Sequence, residues 1–142
     1  MNSHYKDNSD GTVTDTKTGL MWKRCSEGQV WNGNTCVGEA STIGWDEAMP
    51  NDKQRPWPAF AGHDDWRLPD VKEMQSIVDY GRYRPSIDTN RFPNTPDVLF
   101  WTASPNAYYS DYSWFVGFGF GFVNDGSRNH YRYAVRLVRG GQ

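Results

Sequence analysis

The sequence predicts a single α+β domain of short antiparallel strands, two small helices and much irregular chain. Three observations lead there. The 142 residues suit one hydrophobic core, and two cores would each be marginal. Period-two alternation marks segments near both ends, whereas helical periodicity appears only in two short stretches between them. Fourteen Gly and eight Pro punctuate the chain throughout.

In order along the chain, Asp10-Gly11 is a strong turn pair, and Thr12–Asp15 reads as a strand. Thr16–Gly19 forms a compact hairpin loop, and Leu20-Met21-Trp22 opens the returning strand. Trp45, Ala48 and Met49 fall at helical spacing, and Pro50 stops that short helix. The clearest helix is predicted over 70–80. Asp70 and Glu73 suit a capping box, and Val71, Met74, Ile77 and Val78 share one face. Residues 81–98 carry Pro85, Pro93 and Pro96 and read as a long ordered loop. Leu99–Thr102 should be a buried strand.

From residue 113 the period is two. Trp114, Val116, Phe118, Phe120 and Phe122 take one face of a predicted strand over 113–123, and Phe115, Gly117, Gly119 and Gly121 take the other. Asn124-Asp125-Gly126 signals a turn, and Tyr131–Val138 reads as the closing strand. No internal repeat is visible at periods of 20 to 50 residues.

Composition narrows the function classes. Net charge is −2 with 23% charged residues, which lacks the basic excess of a nucleic-acid binder. Aromatic residues reach 15% while mean hydropathy is −0.82, so apolar area resides in large rings rather than aliphatic runs. No run approaches the roughly 18 apolar residues of a membrane helix, and no basic-then-apolar leader follows Met1. All seven basic residues after position 75 are Arg, which favours planar, forked recognition.

Cys25 and Cys36 bracket a Gly- and Asn-rich loop with no nearby His, too few ligands for structural zinc. A disulfide closing that loop is worth about 3 kcal/mol and implies an extracytoplasmic location: cell surface, periplasm or secreted. Two reduced thiols in a cytosolic protein are the other reading.

Several segments taken in order resemble the bacterial domain family typified by the C-terminal domain of the collagen-like adhesin Lcl. They are Asp10–Asp15, Thr18–Trp22, Trp45 with Ala48, Asp65-Trp66-Arg67-Leu68-Pro69 with Glu73, Ile77 and Val78, Phe92–Thr95, Trp101–Ser104, Trp114–Phe118 and Val135–Gly141. The resemblance spans about residues 8–142 and implies a C-type-lectin-like fold, surface-displayed or secreted, that binds rather than catalyses. Some relatives bind sulfated polysaccharide. Others are variable proteins of diversity-generating retroelements, whose C-terminal segment is rewritten at adenines.

The residues bear on that second branch. Between Ser76 and Gly141 there is no Lys, Glu, Gln or Met, and 106–133 is dominated by Asn, Tyr, Ser, Asp, Gly, Phe, Arg and His. All of those types can be encoded by triplets ending in a pyrimidine, which randomised Asn codons would leave; Trp114 would then be framework. A Tyr-, Ser-, Gly- and Asn-rich contact surface of ordinary origin has the same composition. The variable-type segment is assigned to about 104–134.

The candidate ligand-binding residues are Tyr108, Tyr109, Asp111, Tyr112, Phe115, Gly117, Gly119, Phe120, Asn124, Asp125, Ser127, Arg128, Asn129, His130 and Arg132. Tyr offers large contact area at little rotamer cost, and Arg offers forked hydrogen bonds. Tyr108, Tyr109, Tyr112 and Phe115 are expected outside the core, whereas Trp101, Trp114, Val116 and Phe118 are expected within it. Phe120 and Phe122 are left open between core and exposed patch. The glycines facing them would admit a ligand closely, or mark only a twisted strand. Arg136 and Arg139 would extend Arg128 and Arg132 into a basic patch suited to sulfated chains, with a merely solvated strand face as the alternative.

Catalytic motifs are lacking: no Gly-x-Ser-x-Gly, no His-Glu-x-x-His, no phosphate-cradling loop. His63-Asp64-Asp65 more readily caps a turn or pairs with Arg67 than holds a metal. The expectation is a non-enzymatic domain with no metal or cofactor. Its partner is expected to be a protein on another cell, with a glycan as the competing class.

Overall fold

The computed structural model describes residues 4–108, 112–119, 121–128 and 131–140. The strands are β1 (Tyr5–Asp7), β2 (Thr12–Asp15), β3 (Met21–Lys23), β4 (Val30–Trp31), β5 (Cys36–Val37), β6 (Leu99–Pro105), β7 (Tyr112–Gly117), β8 (Phe122–Ser127) and β9 (Val138–Arg139). They form three small antiparallel sheets, ordered β1-β2-β3-β9, β4-β5 and β6-β7-β8. Two short α-helices, α1 (Trp45–Ala48) and α2 (Val71–Gln75), and a 3-10 turn at Pro50–Asp52 complete the regular structure among the described residues. The domain is therefore mostly β, and the α+β, C-type-lectin-like class expected from the sequence is corrected.

The correction has a local cause at 70–80. The capping box forms: Asp70 Oδ1 accepts from Glu73 N at 2.7 Å, and Glu73 Oε1 accepts from Asp70 N at 2.9 Å. The helix nevertheless ends after Gln75. The Ser76 hydroxyl bonds back to Glu73 O, and Ile77 and Val78 donate to the carbonyls three residues earlier. Branched side chains and a competing hydroxyl suit such a tight turn better than another α-helical turn. Helical spacing survives as burial without surviving as helix: Met74 and Ile77 are buried, and Val71 and Val78 pack beside them.

At the β2–β3 hairpin the sequence-based boundaries hold well. β2 and β3 pair Thr12 with Lys23 and Thr14 with Met21, around the loop at 16–19. Asp15 closes that loop, its carboxylate accepting from Lys17 N and its carbonyl from Gly19 N. Cys25 and Cys36 are joined by a disulfide, which tethers β5 to the end of β3.

The sheet β6-β7-β8 separates two cores. One side carries Phe100 and Val116 against Phe118, Met74, Ile77 and Trp22. The other carries Trp101 and Phe115 against Trp45, Val135 and Leu137. The last segment passes between them, with residues 134–138 all buried. It is not the continuous closing strand expected over Tyr131–Val138. Tyr133 bridges Ile43, Ala134 bridges Phe100, and only Val138–Arg139 joins a sheet as β9.

Arg136 in that segment is fully buried, against the expectation of a basic outer face. Its guanidinium donates to Arg24 O at 2.6 Å and Thr95 Oγ1 at 2.9 Å, over the rings of Phe92 and Phe100. Burial pushes its pKa down to about 9. The cation acts as an internal clamp, satisfying carbonyls that a hydrocarbon could not. Arg67 does similar work nearer the surface, gripping Glu73 through both Nη atoms and donating to Gly140 O.

Candidate functional site

The expected single strand over 113–123 is instead a hairpin. β7 ends at Gly117, Gly121 N donates back to Gly117 O, and β8 returns, so Asn124-Asp125-Gly126 lies inside a strand rather than at a turn. The pairing puts Phe115, Gly117, Phe122, Asn124 and Gly126 on one face, and Tyr112, Asp125 and Ser127 on the other.

On the first face the glycines make way for the protein's own rings. A Cβ at Gly117 would meet the Phe122 ring at 2.6 Å, and one at Gly126 would meet Phe115 at 3.0 Å. A Cβ at Gly119 would run into the Asp97 carboxylate. Gly117 and Gly119 are thus closed by side chains, and the expectation that they admit a ligand is corrected. Phe115 is also corrected: it is 7% exposed, wedged between Trp101, Tyr133 and Phe122.

Those rings form a continuous run with exposed ends. Phe122, 44% exposed, meets Phe115 edge-on at 6.1 Å, and Phe115 meets Tyr133 at 5.0 Å. Tyr131, 50% exposed, stacks on Tyr133 at 5.7 Å with planes only 8° apart. Burial, and then the Tyr131 ring beside it, raises the Tyr133 phenol above its ordinary value.

The second face carries Val116 and Val123 toward the first core, and its other end is polar. Asn106 donates to the Asp125 carboxylate, and its own carbonyl oxygen accepts from Tyr108 N at 2.7 Å. That turn holds Tyr108 at 91% exposure, with Tyr112 exposed beyond it. Ser127 is half-buried beside Tyr112, while Asn124 is exposed on the ring face. Tyr109, Asp111, Phe120, Asn129 and His130 lie outside the described residues.

Arg128 and Arg132 flank the hairpin, and both are charge-compensated. Arg128 lies over the Trp45 ring at 3.9 Å, donates to Ser113 Oγ and pairs with Asp52 at 3.0 Å. Arg132 pairs with Glu47 at 2.8 Å. The Gly44 backbone N–H, and then Arg132, hold the Glu47 carboxyl below its ordinary value. Arg139 is tied to Asp65 at 2.6 Å. With Arg136 internal, the four arginines do not make an unpaired basic patch. Asp65 therefore pairs with Arg139, not with the Arg67 suggested by proximity in sequence. Among the described residues, no group of three or more His, Cys, Asp or Glu side chains is arranged to hold a metal.

Sequence reasoning missed Tyr80 and Tyr83, both exposed on a loop stitched to the hairpin turn. Arg84 N donates to Gly119 O at 2.7 Å and Ser86 N to Phe118 O, and Tyr80 packs beside Gly121. The signal was available: Tyr80 and Tyr83 stand among Asp79, Gly81, Arg82 and Arg84, a polar setting like that of Tyr108. Glu47 and Asp52 were missed because their partners lie more than 70 residues away.

Fold and surface together define a small disulfide-bonded β domain that shows aromatic rings beside neutralised charges. The family model of the Lcl C-terminal domain matches residues 11–139, and the chain belongs to that family. No curated protein matches it. No helix among the described residues is long and apolar enough to cross a membrane.

Proposed function

We propose that the chain is a non-enzymatic recognition domain, displayed outside the cytoplasm, that binds a protein partner through exposed rings of its C-terminal third. One observation carries the reading: Tyr108, Tyr112, Phe122 and Tyr131 stay exposed although two cores are already filled by other aromatics. Rigid rings beside polar Asn124 and Ser127 form the mixture that protein contact surfaces use. The Cys25–Cys36 disulfide supports an oxidising compartment.

The glycan-adhesin reading depended on Arg128, Arg132, Arg136 and Arg139 acting together on sulfated chains. The burial of Arg136 and the carboxylates facing the other three weigh against it. Salt separates the two readings. A polyanion site should release heparin as ionic strength rises from about 0.05 to about 0.5 M, because screening shortens to a few ångströms. The proposal expects little retention on immobilised heparin even at the lower salt. Firm, salt-sensitive retention would transfer the assignment to the glycan adhesin.

The retroelement branch rests on the absence of Lys, Glu, Gln and Met between Ser76 and Gly141. Its test is the neighbouring DNA. A reverse transcriptase and a near-copy of codons 103–142 differing opposite adenines are expected. Their absence contradicts the branch without touching the binding proposal.

A further inference from the structure

A second site shares no lining residue with the C-terminal rings and does not depend on the reading above. Beside the disulfide-bonded loop is a cavity of about 180 Å³, walled by Arg55 and Trp57, floored by Ile43 and Val135, with Ser41 and Gly28 at its rim. Its chemistry is lopsided. The Arg55 guanidinium lies 4.4 Å from the centre of the Trp57 ring. No carboxylate among the described residues pairs with it: Glu47, the acidic group whose field it reaches, is bonded to Arg132. Trp57 is more than nine-tenths buried, yet its indole N–H has no acceptor.

The acid that lines the cavity, Glu27, is already held by Lys23 Nζ at 3.0 Å. The local balance therefore leaves one positive charge without a fixed partner. A planar cation and a hydroxyl next to branched apolar side chains form a recognisable complement. They suit a group with two oxygens on one carbon and a short apolar substituent behind it.

We propose that this cavity binds a carboxylate with a short apolar substituent. Arg55 takes the oxygens in a forked pair, the Ser41 hydroxyl supplies a further donor, and Ile43 and Val135 receive the apolar part. The volume is about six water volumes, which suits a few heavy atoms rather than an extended polymer. Two sources share this chemistry: a free monocarboxylate, and the C-terminal residue of a peptide.

The test is calorimetric titration of the intact domain with isobutyrate, with N-acetyl-Gly-Val as free acid, with its C-terminal amide and with inorganic sulfate. The indole N–H resonances are followed in parallel on ¹⁵N-labelled protein, with Trp57 assigned through Trp57→Phe. Saturable binding of a free acid is expected, with a shift of the Trp57 resonance and loss of binding by the amide. Arg55→Gln should weaken it about tenfold or more, while Arg55→Lys should recover only part, because a point charge lacks the fork. Melting curves for both variants should match the parent, which separates a lost site from a lost fold. Equal affinity for isobutyrate and the peptide points to a small carboxylate, and preference for the peptide points to a chain terminus. No saturation by either acid, equal binding of amide or sulfate, or indifference to Arg55→Gln overturns the proposal.

Discussion

Arg132 and Arg136 stand four residues apart in one segment, and sequence alternation offers both to the same basic surface. The structure puts them in opposite situations. Arg132 is exposed and meets Glu47 across the surface, whereas Arg136 is fully buried, with carbonyls and a hydroxyl as its partners. The rings divide the same way: Phe115 and Trp101 lie inside, while Phe122 and Tyr131 emerge from the same aromatic run. Residue type therefore does not separate frame from the proposed recognition surface in this domain. Depth does, and depth is set by a segment threading between two cores.

The contrast can be broken at its strongest point first. Arg136→Ala leaves Arg24 O and Thr95 without their donor and opens a cavity, so a loss of about 4 kcal/mol is expected in urea unfolding. Phe115→Ala should cost about 3 to 4 kcal/mol by the same measurement, while Tyr108→Ala should stay within about 0.5. A Phe115 change as mild as that of Tyr108 would erase the distinction between inner and outer rings. Replacing Cys25 and Cys36 by Ser should cost about 3 kcal/mol, read from the thermal midpoint of the double variant.

Smaller effects sharpen the picture at the helix start. Asp70→Ala should cost about 1 kcal/mol through loss of the cap on α2. Burial works against ionised Glu73, but Arg67 and the Asp70 backbone N–H prevail and hold its carboxyl below the ordinary value of 4.5. A depressed folded value means its contribution is present above that ordinary value and is lost as pH falls through the folded one. Urea midpoints from pH 6 to pH 3 should therefore drop more steeply for the parent than for Glu73→Gln. Arg132→Ala should leave the melting temperature unchanged within error, since its pair is exposed and screened.

How much of this was readable in the chain varies by element. Local chemistry was legible: the β2–β3 hairpin, the disulfide, the Asp70–Glu73 box and the buried Trp101 all follow from neighbours in sequence. What failed were inferences needing knowledge of what lies opposite. Glycine at 117 and 126 looks like bare strand or turn until the rings of Phe122 and Phe115 are found above it. Alternation at 113–123 cannot reveal a hairpin, because the second arm, from Phe122, resumes the same period. Arg136 fits a solvated strand face unless residues 134–138 are known to be covered on both sides. Of the candidate site, exposure was anticipated for Tyr108 and Tyr112, but the acidic partners of Arg128 and Arg132 come from the distant N-terminal half.

The most direct trial of the recognition surface is flow cytometry. The fluorescently labelled domain and a variant carrying Tyr108→Ala, Tyr112→Ala, Phe122→Ala and Tyr131→Ala are compared on a panel of intact bacterial and mammalian cells. The parent should stain at least one cell type in a way that about 0.5 M salt scarcely diminishes, and the variant should lose that staining while unfolding as a cooperative domain. Staining that survives all four substitutions would contradict the account.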